Sequence, residues 1–474
     1  MGQGGSSPQA KCLLSAVGGN ADLVAFPTKP LYQLLDVHPY NLDISVAPIA
    51  VTYPQTAYQV AAIVACAGSE FKIQARGGGH SYANYALGGG DTNTVVVDLK
   101  SFQDFNMDTT SWQATIGAGT KLGDVTSRLL SAGNRAIAHG TCPDVGIGGH
   151  ATMGGLGPMS RMWGSAMDHV VELQVVLANA TVVTASPTQN HDIFWAMKGA
   201  GSSFGIVTDF KVQTHPAPEG AVQYTYTFSS RPYANLASRF KAWQTLISDP
   251  NLSRNLASQV TLSELGMEIS GTFFGTKEEF DSLGLESVFP NHSNSTVLVF
   301  NDWAGLVGNW AENVGLTIGG VIPSAFYSKN LAFTKDNIIP DATVDKFFHN
   351  LDTVDKGTLI WFAIFDLEGG ATNDPAANAT AYGHRDALFY LQTYGVDILK
   401  VTGTTRAFIT GMNDIITAAY PPNTLGAYAG YVDPELANPQ QAYYRSNLLK
   451  LEQLKGIVDP KDVFHNPESI RAPS

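Results

Sequence analysis

The sequence predicts an α+β chain of more than one domain, the second built on a central antiparallel sheet backed by helices. Three observations carry this. The chain has 474 residues, 44% of them hydrophobic, long enough for more than one core. Its first part alternates short apolar strands with helical patterns and glycine-rich turns. The composition then breaks at His215-Pro216-Ala217-Pro218-Glu219-Gly220, and longer alternating strands separated by amphipathic helices follow.

The elements are read in order. Ile44–Tyr53 is β-rich, Ala57–Ala67 has helical spacing, and Phe71–Ala75 runs as a strand into Arg76-Gly77-Gly78-Gly79-His80-Ser81-Tyr82. Val95–Leu99 and Gln113–Gly117 read as strands, and Lys121–Ala132 as a helix ending at Gly133. Val170–Leu177 and Thr181–Thr184 form a hairpin around Ala178-Asn179-Ala180, and Gly205–Val212 is the next strand. Beyond the break come a strand at Val222–Phe228, a helix near Tyr233–Ile247, and strand segments near Gln259–Phe274, Val297–Phe300 and Leu359–Leu367. From about Gly426 the chain turns aromatic, then amphipathic over Tyr443–Val458. The chain is divided at 1–216, 217–425 and 426–474.

Acidic residues outnumber basic ones by 41 to 28, a net charge of −13, which argues against a nucleic-acid partner. No stretch reaches 18 uninterrupted apolar residues, so no membrane-spanning helix is expected. Met1-Gly2-Gln3-Gly4-Gly5-Ser6 fits a myristoylation pattern but reads better as a leader appended for expression. Five Asn-x-Ser/Thr sequons, at Asn179, Asn251, Asn291, Asn294 and Asn378, are about what chance supplies. Three cysteines leave at least one outside any intramolecular disulfide, and neither they nor the eleven histidines show zinc spacing, so no metal is expected.

Glycine turns carry the strongest local signal, because backbone N–H groups can approach an anion closely there. Gly146–Ala151 fits a dinucleotide pattern, but no apolar strand leads into it and no acidic residue ends a following strand, which rejects a nicotinamide site. Gly201-Ser202-Ser203-Phe204-Gly205 matches a hydrolase elbow, yet strand rather than helix follows it. His80 and Cys142 are the two reactive side chains that stand out. As side chains alone, a turn histidine and a small buried thiol fit equally well.

The segments Arg-Gly-Gly-Gly-His80-Ser-Tyr, Gly-Thr-Cys142-Pro-Asp-Val-Gly-Ile-Gly-Gly-His and Asp192-Ile-Phe-Trp-Ala-Met-Lys-Gly-Ala-Gly-Ser-Ser-Phe-Gly-Ile-Val resemble the berberine-bridge-enzyme-like branch of the vanillyl-alcohol-oxidase flavoproteins. So does Tyr443-Tyr444-Arg445-Ser446-Asn447-Leu448 with Asp459-Pro460 and Phe464. The resemblance runs collinearly along the chain and is closest to fungal oligosaccharide oxidases. It implies the two-domain vanillyl-alcohol-oxidase fold, in which 426–474 returns to 1–216 to complete the FAD-binding domain and 217–425 forms the substrate domain. It also implies FAD held by two covalent bonds, from His80 to the 8α-methyl and from Cys142 to C6. Arg76, Gly77, Gly78, Gly79, Ser81, Val145, Gly148, Gly149, Gly205, Ile206, Val207 and Asn447 are the further cofactor positions it implies, Val145 as the small gatekeeper that admits dioxygen. Cys12 and Cys66 match the N-terminal disulfide of that group, which implies secretion into an oxidising compartment.

The family's catalytic tyrosine matches Tyr431, and its neighbouring carboxylate matches Asp366. Tyr82, Gln259, Thr261, Ile364 and Gln392 match substrate positions, with Ile364 standing where a glucooligosaccharide oxidase has Gln, and Gln259 and Thr261 where it has Arg and Glu. The implied activity is that of a secreted, monomeric oxidase acting on CH–OH. Tyr431 would deprotonate the anomeric hydroxyl of an oligosaccharide while C1 gives up hydride, leaving a lactone and hydrogen peroxide. The loss of polarity at Ile364 equally suits a secondary-metabolite alcohol or amine. A hydrolase on Ser203 and a non-catalytic binding protein are the remaining alternatives.

Overall fold

The computed structural model describes residues 7–67, 70–91, 93–229, 231–317 and 323–473, with no side chains described over 311–317. Residues 1–6, where the leader is expected, lie outside the described residues.

A four-stranded sheet opens the chain: β1 (Val24–Ala25), β2 (Ala50–Thr52), β3 (Lys72–Arg76) and β4 (Thr94–Asp98), in the order β1-β2-β4-β3. Its parallel pairs β2/β4 and β3/β4 require crossovers: α1 (Ala57–Ala67) links β2 to β3, and the segment after Arg76 that carries the glycine turn links β3 to β4. Val95, Val96 and Val97 of β4 are fully buried, the continuous apolar run of a strand covered on both faces. Beside it lies an antiparallel sheet ordered β5-β6-β9-β7-β8, made of β5 (Phe105–Asp108), β6 (Gln113–Gly117), β7 (Val170–Val176), β8 (Val182–Ala185) and β9 (Ile206–Gln213). Between β6 and β7 run α2 (Leu122–Ser131) and α3 (Ile147–Met153), and between β8 and β9 runs α4 (His191–Ala200).

The second unit is a seven-stranded antiparallel sheet, with order β13-β10-β12-β11-β15-β16-β14. Its strands are β10 (Ala221–Phe228), β11 (Leu256–Ser263), β12 (Gly266–Phe273), β13 (Asn294–Phe300), β14 (Ala325–Thr334), β15 (Ile360–Leu367) and β16 (Ala387–Asp397). Helices α5 (Ala237–Ile247), α6 (Asp341–Thr353) and α7 (Gly403–Thr417) bury Trp243, Phe348 and Ile409 against one face of the sheet. The other face is left to line a cavity.

The chain then returns to the first unit through α8 (Pro439–Tyr444) and α9 (Leu448–Val458). Tyr443, Leu451, Leu454, Phe464 and Ile470 share one apolar core with Ile73, Val95 and Phe210. The buried Lys455 ammonium donates to the carbonyls of Ser203 (2.8 Å) and Phe464 (2.9 Å) and pairs with Asp459 (2.7 Å). Cys12 and Cys66 are joined, as the resemblance implied, tying the N-terminal helix at Pro8–Ala16 to α1.

Several elements differ from the sequence expectation. Only Ala50–Thr52 of the β-rich Ile44–Tyr53 pairs. Gln259–Phe274 is a hairpin turning at Glu264-Leu265, because Gly266 at φ +122° breaks the alternation. Tyr443–Val458 is two helices, parted where Arg445 takes φ 48°. Among the described residues no helix is long and apolar enough to cross a membrane, and no cluster of ligands could hold a metal ion.

Candidate active site

Between the two units lies a cavity of about 800 Å3, within the size range of cofactor and substrate sites. One wall is built from the glycine turns. Gly78 and Gly146 touch backbone to backbone: a Cβ on either would lie 2.1–2.3 Å from the other's amide nitrogen. This contact sets the His80 turn directly beside the loop that carries Cys142 and Val145. All three side chains line the cavity, as do Gly77, Gly79, Ser81, Gly148, Gly149, Gly205, Ile206 and Val207.

FAD fits this wall on three observations. The Nε2 of Gln74, a lining residue, is buried without a hydrogen-bond partner among the described residues, a donor left for a ligand. Gly149 has open space where a Cβ would stand, so its backbone is free to meet a phosphate. The Cys142 thiol is free, and it and the His80 imidazole face the same space. Burial lowers His80 from its ordinary value, keeping the imidazole neutral, and raises the Cys142 thiol.

Two of the expected cofactor positions stand apart from the lining. The Arg76 guanidinium is buried against Asp98 and the carbonyls of Asp36 (2.7 Å) and Val37 (2.5 Å), so it braces the turn from behind. Asn447 donates to the carbonyls of Ala377 (2.9 Å) and Thr380 (3.2 Å) and ties α9 to that loop. Ser203, of the elbow-like motif, is fully buried and accepts from the Ile470 amide (3.1 Å), a structural contact.

Strand register assembles the opposite wall. Asp366 and Ile364 alternate on β15 and so share a face. Asp366 is paired with Gln259 on β11, and Ile364 with Thr261 on β11 and Gln392 on β16. These five residues, with Tyr82, line the cavity. Gln392, expected to meet substrate, has its amide engaged: it accepts from Tyr394 Oη (2.6 Å) and Tyr82 Oη (3.4 Å) and donates to Asp366 Oδ2 (3.1 Å). It orients the carboxylate.

Tyr431 sits on a turn closed by its own amide onto the Tyr428 carbonyl (3.0 Å). Asn330, fully buried on β14, holds that turn at both ends, donating to the Tyr431 carbonyl (2.5 Å) and accepting from the Tyr428 amide (2.7 Å). Tyr428 meets Tyr431 edge-on at 5.0 Å, and Tyr82 lies parallel to it at 6.3 Å. Burial, and then the Asp366 charge, push the Tyr431 phenol well above its ordinary value. Burial raises Asp366 to about 6, and the bond from Gln392 opposes that shift. At neutral pH the pair is thus a neutral phenol beside a carboxylate.

Residues 48–186 match the FAD binding domain family, and residues 427–471 the berberine and berberine like family. The FAD-linked oxidoreductase sorD of Penicillium rubens is 40% identical over 98% of both chains. The chain belongs to the berberine-bridge-enzyme-like FAD-dependent oxidoreductases. Within this family, the xylooligosaccharide oxidase of Thermothelomyces thermophilus is 32% identical over 98% of this chain and 96% of its own. A solved chitooligosaccharide oxidase superposes with a TM-score of 0.88 over 99% of this chain and 100% of its own, at 29% identity. The two-unit α+β architecture is therefore that of the vanillyl-alcohol-oxidase flavoproteins, as expected from the sequence.

Sequence reasoning missed Tyr40, Phe326, Tyr394 and Glu368, which also line the cavity. Tyr394 and Glu368 each follow a recognised residue by two on or beside a strand, and that spacing was the available signal. Tyr40, on an irregular loop, had none.

Proposed function

We propose that the chain is a secreted oxidase that removes hydride from the anomeric C1–OH of an oligosaccharide, forming a lactone, with dioxygen as final acceptor and hydrogen peroxide as product. His80 and Cys142 would hold FAD through two covalent bonds. The observation that carries the reading is Tyr431 beside the half-buried Asp366 carboxylate in a cavity shared with both anchors. Bound FAD supplies the two-electron acceptor for the hydride. The alcohol proton goes to the Tyr431 oxygen while the phenol's own proton passes to Asp366. A carboxylate near 6 cannot hold a phenol deprotonated in the resting enzyme, so the two transfers are coupled to oxidation. Gln392 keeps Asp366 turned to receive the proton. Tyr82 offers a ring for a sugar to stack on, and Thr225, Gln259, Thr261, Glu268 and Ser270 give the sheet face its hydroxyls, amide and carboxylate.

A second reading has a specific observation behind it. Phe326, Ile364 and Tyr394 form an apolar cluster on the wall, and the Tyr82 and Tyr394 hydroxyls are bonded to each other and to Gln392. That surface suits a less polar secondary-metabolite alcohol. Peroxide release separates the readings: xylo-, gluco- and chitooligosaccharides are assayed beside less polar aromatic alcohols and amines. Turnover of a sugar, lost by orders of magnitude in Tyr431→Phe, supports the first. Silence across the sugars with turnover of an aromatic alcohol replaces it with the second.

A further inference from the structure

Tyr40 takes no part in the reaction above, yet its surroundings are more tightly specified than a loop residue needs. The amides of Tyr40 and Asn41 both donate to Asn84 Oδ1 (3.0 and 3.1 Å), and Asn84 Nδ2 returns to the carbonyls of Asn41 (2.8 Å) and Ile44 (3.0 Å). Asn41 Nδ2 donates to the carbonyls of Tyr82 (2.8 Å) and Phe326 (2.9 Å). Two asparagines therefore lock the Tyr40 loop to the His80 turn on one side and to β14 on the other. From that clamp the Tyr40 ring packs on the His80 imidazole at 4.7 Å and 34°. It is backed by Tyr82 at 6.3 Å and by the Phe326 edge at 5.7 Å. Burial first, and then the Cys142 thiol, raise the Tyr40 phenol to about 12, which sets it near both anchors.

We propose that Tyr40 is a positioning residue that holds the His80 imidazole in the orientation from which its ring nitrogen bonds the flavin methyl carbon. This rests on the His80 tether of the proposed function. In that step an N–C bond replaces a methyl C–H bond. The methyl and imidazole protons are released, and the electron pair left in the flavin passes, with two protons, to dioxygen as hydrogen peroxide. An imidazole free to rotate on its glycine turn would seldom meet the carbon in line, so orientation governs the rate.

Cys142→Ser leaves His80 as the sole tether. Apoprotein is incubated with FAD in air, and the flavin remaining with acid-precipitated protein is followed over time. Tyr40→Phe in this background should tether as Cys142→Ser does, whereas Tyr40→Leu and Tyr40→Ala should tether roughly tenfold more slowly. Tyr40→Ala with Cys142 intact should still retain flavin through the thiol, which checks the fold. Equal tethering by the Leu and Phe variants overturns the role of Tyr40. Cys142→Ser that tethers nothing instead sinks the His80 bond, and the inference with it.

Discussion

At the residue scale, Asp366 and Tyr431 work only as a pair of unlike charge states. Asp366 accepts a proton only while ionised, and burial raises it to about 6. As pH falls through that value the acceptor is lost, so kcat/KM should decline below about pH 6 and level off above it. Asp366→Asn should remove this acidic limb and lower kcat by about a hundredfold to ten-thousandfold. Gln392→Leu takes away the hydrogen bond that favours the carboxylate, so the limb should move to higher pH. A pH–rate profile for each variant checks both, and an unmoved limb in Gln392→Leu would return that residue to the substrate. The resemblance placed Tyr82, Gln259, Thr261, Ile364, Asp366, Gln392 and Tyr431 around one cavity because each sits in a recognisable segment. It does not show that the Gln392 amide is already engaged, because its contacts to Tyr394, Tyr82 and Asp366 form only when three separate segments meet in the fold. The same ground assigns Arg76 and Asn447 to the cofactor, and in the fold both side chains bond backbone carbonyls.

At the element scale, the site depends on one turn held by one strand. The Tyr428–Tyr431 turn has no helix or sheet of its own and is fixed by Asn330 at both ends. Asn330→Ala leaves the buried Tyr428 amide unpaired, a cost of about 1–3 kcal/mol, and frees the half-buried Tyr431 carbonyl. The variant should unfold at lower denaturant and lose kcat more than substrate affinity, because the phenol loses its place. Unchanged kcat in a destabilised Asn330→Ala would mean that Tyr428 and Tyr82 alone position the ring. Strands were legible wherever β-branched residues ran together, as in Thr94–Asp98 and Gln113–Gly117. The pairing of β15 with β11 and β16 was not, because register arises between segments far apart in the chain and only the folded sheet sets it.

At the scale of the whole molecule, the last segment closes the structure across both units, and composition alone could only hint at this through its late aromatic turn. His384, buried just before β16, donates from Nε2 to the Ala442 carbonyl beside α8 (3.0 Å). Burial first, and then the Arg445 charge, lower this imidazole from 6.5 to about 4. Between those values the unfolded chain binds a proton that the folded one refuses. The histidine's stabilising contribution is therefore full above pH 6.5 and is lost as pH falls toward 4, by about 3 kcal/mol in all. His384→Gln keeps a donor for the carbonyl and cannot take up the proton. Its unfolding free energy, measured in denaturant from pH 7 to 4, should gain steadily on that of the unsubstituted protein. Parallel curves would mean that the imidazole is protonated in place, and that the junction between the C-terminal segment and the central sheet opens to water at low pH.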